Sequence, residues 1–293
     1  MPTPALEPKP GEFDPPLFPP SMNTLAINQL STLRWEFEQD AQAYSDRGFE
    51  GIGLFRPKLD DLGIDRAVEL LAETNLQVTS LSWVGGFTGS DGRGFDDAVR
   101  DAMGAVRDAA ELRAETLIVL AGGRNNHIRK HARRTLCDAL SHLAIIAEEF
   151  GVKLSLEPIH AGCGVEWSFV NDLESTLEIL DIVDSSNLGI VLDTYHVGMD
   201  DRVLDMLPHV VPFMHLMQLG DGRHSPLGEM NRCLLGEGCV PIQSLVHRVL
   251  ELGYSGPIEV ELIGEDVEPL SYESVLDHTR SYLDQNIGPV KST

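Results

Sequence analysis

Ile190-Val191-Leu192-Asp193-Thr194-Tyr195-His196 runs three apolar residues into a carboxylate and then turns polar and aromatic. A short apolar run of this kind suits a strand covered on both faces, as in a parallel sheet walled by helices. With this one at residues 189–193, seven more follow the same pattern, at 25–29, 51–55, 77–82, 116–120, 153–157, 213–218 and 258–261. Helical patterns lie between them. The clearest spans residues 128–150, where Leu136, Leu140, Leu143 and Ala147 form one stripe and Gly151 stands at the C-cap position. Others cover residues 33–46, 64–74, 96–112, 173–183, 242–252 and 272–283, while the segment after Asp193 leaves one or two turns at 202–206.

Eight such units predict an α/β protein built as a single (β/α)8 TIM barrel over residues 23–293. An open doubly wound sheet would carry a Gly-rich phosphate turn after its first strand, and Leu30-Ser31-Thr32-Leu33 has no glycine. The length of 293 residues suits one barrel and a sizeable core.

Charge narrows the partners. With 22 Lys+Arg against 46 Asp+Glu the formal charge is −24, so phosphate polyanions and anionic membranes are repelled and neither nucleic acid nor a membrane is expected. No run of 18 apolar residues is present that could span a bilayer. Residues 1–22 hold Pro2, Pro4, Pro8, Pro10, Pro15, Pro16, Pro19 and Pro20, which read as an extended polyproline arm and not as a signal peptide. Cys137, Cys163, Cys233 and Cys239 show no Cys-x-x-Cys spacing and read as free thiols of a reducing, cytoplasmic compartment.

In a barrel the site forms where the strands end. The later strands end in Glu157, Asp193, Gln218 and Glu261, three carboxylates and an amide converging on one mouth. Carboxylates packed together repel unless protons or a cation intervene, so one divalent metal ion is expected among these four. Their oxygen donors favour Mn2+ or Mg2+, with Co2+ after them and Zn2+ less suited. On strand seven, His215 and Gln218 are three apart and so fall on opposite faces; Gln218 is preferred as ligand, with His215 expected outward against helices and kept as the alternative.

The runs Leu156-Glu157-Pro158-Ile159-His160, Val191-Leu192-Asp193-Thr194-Tyr195-His196, Gln218-Leu219-Gly220-Asp221, Leu235-Gly236-Glu237-Gly238 and Val260-Glu261 resemble the sugar phosphate isomerase/epimerase group of xylose isomerase-like TIM barrels. The resemblance extends over about residues 23–283 and is most specific in the second half. It implies a metal held by Glu157, Asp193, Gln218 and Glu261, a substrate contact at His196, and a basic contact at Arg232, which precedes the Gly-Glu-Gly turn. It also implies a barrel of a kind that often pairs as a homo-oligomer. Two departures matter. The Asp-Arg-His run of the related three-zinc nucleases is replaced by Met230-Asn231-Arg232, and the lysine of true xylose isomerases by Ile159.

Such a site suits proton movement beside a carbonyl, through an enediolate whose charge the metal stabilises. Glu157 and Glu261, on strands five and eight, are the natural catalytic pair. His196 would hold a hydroxyl, His160 relay a proton, and Trp83 help place a small carbohydrate-like substrate together with Phe87, Trp167 and the loop at 85–94. Gly122-Gly123-Arg124 is a weaker phosphate candidate at a helix start. Epimerisation, isomerisation and dehydration of an inosose or dehydroshikimate-like compound all follow from this chemistry. A barrel that only binds a sugar or a partner is the non-enzymatic alternative.

Overall fold

The structure, a computed structural model, describes residues 23–287, so the proline-rich arm expected at residues 1–22 lies outside them. Eight strands, β1 (Leu25–Asn28), β2 (Gly51–Phe55), β3 (Gln77–Gly85), β4 (Leu117–Leu120), β5 (Leu154–Glu157), β6 (Leu188–Asp193), β7 (Met214–Leu219) and β8 (Ile258–Val260), form one closed barrel in chain order. Every neighbouring pair is parallel, and β1 closes the ring on β8. The helices are α1 (Phe37–Asp46), α2 (Arg56–Leu62), α3 (Ile64–Thr74), α4 (Phe95–Glu111), α5 (Arg129–Phe150), α6 (Leu173–Val183), α7 (Thr194–Val197), α8 (Val203–Val210), α9 (Ile242–Glu251) and α10 (Tyr272–Asn286).

Alternation along the strands sorts the core. Leu117, Val119, Leu154, Leu156, Ile190 and Leu192 face outward and pack into the main cluster with the helices, including Leu136, Leu140 and Leu143 of α5. Each such fully buried aliphatic side chain contributes about 1.5–3 kcal/mol. Ile118, Leu120, Val191 and Leu216 face inward and form a smaller cluster with Trp83, Trp167 and Met230. The inner face is thus apolar at one side of the mouth and polar at the other.

The helix stops follow local chemistry. α5 ends where Gly151 takes the left-handed conformation at φ 68°. α6 begins on Asp172, whose side chain accepts the Ser175 amide.

Two elements differ from expectation. After Asp193 the chain forms α7 and then α8, which continues past residue 206 to Val210 because Pro208 falls within its eight residues without stopping it. α2 was not foreseen, although Pro57 in its first turn is a helix-start signal.

Candidate active site

The carboxyl ends of the strands open into a cavity of about 350 Å3, and Glu157, Glu261, His196, Ser82, Trp83 and Trp167 are among its walls. Glu157 ends β5 and Asp193 ends β6. Asp193 is fixed by the turn that follows, its Oδ1 accepting the Tyr195 amide at 2.8 Å. Gln218 is the penultimate residue of β7, and Glu261 follows β8 directly. All four are buried.

Arg232 ties this group together. It is wholly buried, lies over the Tyr195 ring at 4.8 Å, and reaches Asp193 Oδ2 and Glu261 Oε1 at 2.8 Å each. Burial works against its charge, but Asp193, Glu261 and Glu157 outweigh that and hold the guanidinium protonated. The loop that carries it is pinned by Asp221, whose carboxylate accepts the amides of Gly222, Gly236, Gly238 and Val240.

The orientation of Gln218 follows from its neighbours. Its Nε2 donates to Glu259 Oε1 at 2.9 Å and Glu261 Oε2 at 3.1 Å, so the amide nitrogen faces two carboxylates. Its Oε1 is buried and has no partner among the described residues. Asp193 Oδ2, although close to Arg232, is out of line with any N–H.

Glu157, Asp193 and Glu261, with Glu259 beneath them, stand against one guanidinium, which leaves an excess of negative charge in a buried space. Among the protein's own groups this surplus is met by protons. Burial, reinforced by Glu261 and Asp193, raises Glu157 well above the carboxylate range. Burial also lifts Glu261 to about 7, against Arg232 and with Asp193 and Glu259. A dication would offset that excess and give the Gln218 oxygen a partner.

His196 also stands close. Its Nε2 lies 3.8 Å from Glu157 and 3.9 Å from Asp193, and these three residues present possible ligand atoms within 4.8 Å of one another. Burial lowers the ring to about 3 despite Asp193, so it is neutral. Donors face both ring nitrogens: the His160 backbone N–H lies 3.4 Å from Nδ1 and the Arg232 guanidinium 3.5 Å from Nε2.

The remaining expected residues separate. Trp83 lines the cavity and packs edge-on against Trp167 at 5.7 Å. The His160 side chain instead accepts the Gly162 amide and lines a neighbouring cavity beside α6 and α8. Phe87 is in the outer core and not at the mouth. Gly122-Gly123-Arg124 meets no helix start, since α5 begins at Arg129.

His215 requires a correction. It lies at a register shift, where Ile190 pairs with Met214 but Val191 with Leu216, and the extra residue breaks the alternation. Its ring packs over Gly189 and bonds Ser155, which shares the inner face with Glu157, so it sits within the barrel below the mouth and not outward against helices. It does not line the cavity.

Glu259 was missed. It shares the inner face with Glu261 two residues on, a signal present in the sequence, and receives Asn28, Thr79, Ser80 and Gln218. A Cβ on Gly53 would meet its carboxylate at 2.5 Å, so only glycine fits there. Cys163, also missed, packs its sulfur 3.6 Å from His196 Nδ1.

A closed eight-strand barrel with a carboxylate-rich mouth defines the class as a TIM barrel, and comparisons with known proteins give the family. Residues 41–282 match the xylose isomerase-like TIM barrel family, and the chain belongs to it. It is 25% identical over 264 residues to an inosose isomerase of Halalkalibacterium halodurans, covering 86% of this chain and 92% of that one. It is 28% identical over 129 residues to a ketose 3-epimerase of Arthrobacter globiformis, covering 44% and 41%. Among solved structures, the IOLI protein with a bound zinc atom superposes with a TM-score of 0.79 at 20% identity, over 92% of this chain and all of that one.

Proposed function

We propose that this protein is a divalent-metal-dependent isomerase or epimerase that moves a proton next to the carbonyl of a sugar or polyol. The observation that carries this reading is the pairing of Glu157 and Glu261 in one cavity, the first ending β5 and the second directly following β8. The relatives named as isomerases and epimerases support it.

Glu157, Asp193, Gln218 and Glu261 would hold the ion. Their all-oxygen set suits Mn2+ or Mg2+, then Co2+, and suits zinc less because no Cys or His is among them. When bound, such an ion polarises the carbonyl and stabilises the negative charge that develops beside it.

The protein's own groups do the rest. Glu157 and Glu261 approach the reacting carbon from two sides, one removing the proton and the other returning it. His196, in the cavity wall, holds a substrate hydroxyl. Arg232 holds Asp193 and Glu261 in place, and its charge stays beside the developing anion. His160 acts through its backbone N–H, which holds the His196 ring at Nδ1. Trp83 gives the substrate a flat apolar wall.

An assay of Mn2+-loaded protein on a panel of ketoses, inososes and dehydroshikimate tests this. Turnover of a ketose or inosose to its isomer or epimer is expected, with Glu157→Gln and Glu261→Gln each losing at least about a thousandfold in kcat while retaining the wild-type melting profile. Loss of water from dehydroshikimate or an inosose instead would make the protein a dehydratase. Full activity in either variant removes that residue from proton transfer.

A further inference from the structure

The lining of the cavity carries information about the substrate beyond the reacting carbon. One side is built from Trp83, Ile118, Ile159, Trp167, Met230 and Ile263. No lysine or arginine among the described residues lines it, and the Arg232 guanidinium is ion-paired with Asp193 and Glu261. Its charged rim is acidic, with Glu166 and Glu229 exposed at the opening. A phosphate or carboxylate on the substrate would therefore find repulsion and no counter-charge. A hydroxyl turned toward the apolar side would lose its water without gaining a partner.

One polar group breaks that side. Ser82, on β3, lines the cavity and is 3% exposed, yet its Oγ is buried and makes no hydrogen bond with any described residue. Ser80, two residues earlier on the same face, is fully used by Glu259. Buried hydroxyls in folded proteins are nearly always paired, so an unpaired one in a cavity wall marks a place for a ligand atom.

We propose that the site selects an uncharged ketose or cyclic polyol ketone whose far end is apolar, such as a deoxy sugar, and that Ser82 supplies the hydrogen bond reading its one polar group on that side. This rests on the reading of the site given above, since it takes the carbonyl end to lie at Glu157 and Glu261. It adds the chemical class of the other end.

Binding can be read without turnover. Of the three tryptophans, Trp83 and Trp167 line the cavity and Trp35 packs elsewhere against Tyr272, so intrinsic fluorescence of Mn2+-loaded protein reports occupancy. The probes are D-fructose, 6-deoxy-D-fructose and D-fructose 6-phosphate. The deoxy sugar is expected to bind at least about fivefold more tightly than fructose and the phosphate at least about tenfold more weakly. Ser82→Ala, checked for an unchanged melting profile, is expected to weaken both uncharged ketoses at least about threefold. Equal or tighter binding of the phosphate ester, no gain from removing the terminal hydroxyl, or unchanged affinity in Ser82→Ala overturns the proposal. If ketoses turn over but show none of these preferences, only this inference falls. If the preferences hold and nothing turns over, the isomerase reading falls and the binding assignment stands.

Discussion

Gln218 shows how one side chain serves two layers of the barrel. Its nitrogen bridges Glu259 below and Glu261 at the mouth, which fixes the amide and leaves Oε1 as an oxygen donor. Gln218→Leu removes that donor and the bridge together. We expect Mn2+ affinity to fall about 10- to 100-fold, the range seen when supporting groups of a metal site are removed, with titration calorimetry as the measurement. Unchanged affinity would remove Gln218 from the ligand set. Glu157 and Asp193 were legible because each closes its strand, and Gln218 and Glu261 because each lies within one residue of its strand's end. Glu259 was hidden although it is two residues from Glu261, since a carboxylate inside a strand gives no sign of the four donors that meet it from β1, β3 and β7.

At the scale of elements, the strands and most helices could be read because their periods are clean, and the failures fall where a period breaks. The bulge in β7 turned His215 inward, and no alternation rule applied to the sequence foresees an extra residue. The network joining α1 and α2 was equally invisible, because α2 itself was not read as a helix and its packing on α1 is a tertiary contact. There Lys58 Nζ bonds Asp40 Oδ2 at 2.6 Å and the Thr32 carbonyl at 2.9 Å, while Thr32 Oγ1 bonds Asp40 Oδ1. Burial lifts Asp40 to about 7 even with Lys58 beside it. Removing one partner of a buried pair costs about 3–5 kcal/mol, and we expect that loss in Lys58→Met near pH 8 by chemical denaturation. The sign of the pH effect follows from linkage. A carboxyl raised in the folded state binds more protons folded than unfolded, so stability falls as pH rises from its unfolded value of about 4 to its folded one. Without Lys58 the folded value rises further, so the defect should shrink on acidification to pH 5. A defect that stays constant across this range would show that Asp40 does not titrate there.

For the whole molecule, the net charge of −24 makes the mouth one more acidic region on an acidic body, and only the geometry of the strand ends sets it apart. Barrel closure matters here: it brings β5 and β8, a hundred residues apart in sequence, to one opening. An ion bound there stabilises the folded chain alone. Free Mn2+ at about a hundred times its dissociation constant should add about 2.7 kcal/mol, and the midpoint should rise by about 4–5 °C and fall back with a chelator. Elemental analysis should find about one ion per chain. A midpoint indifferent to Mn2+, Mg2+ and Co2+ would remove the metal site.

Proton abstraction itself leaves an isotopic trace whatever the final product. Mn2+-loaded protein incubated in D2O with D-fructose, 6-deoxy-D-fructose and an inosose, followed by proton NMR, should show deuterium entering the carbon next to the carbonyl of at least one of them, and none in Glu157→Gln or Glu261→Gln. No exchange in any of the three with a full complement of bound metal, or equal exchange in the variants, would contradict the assignment of these two glutamates as the acid–base pair.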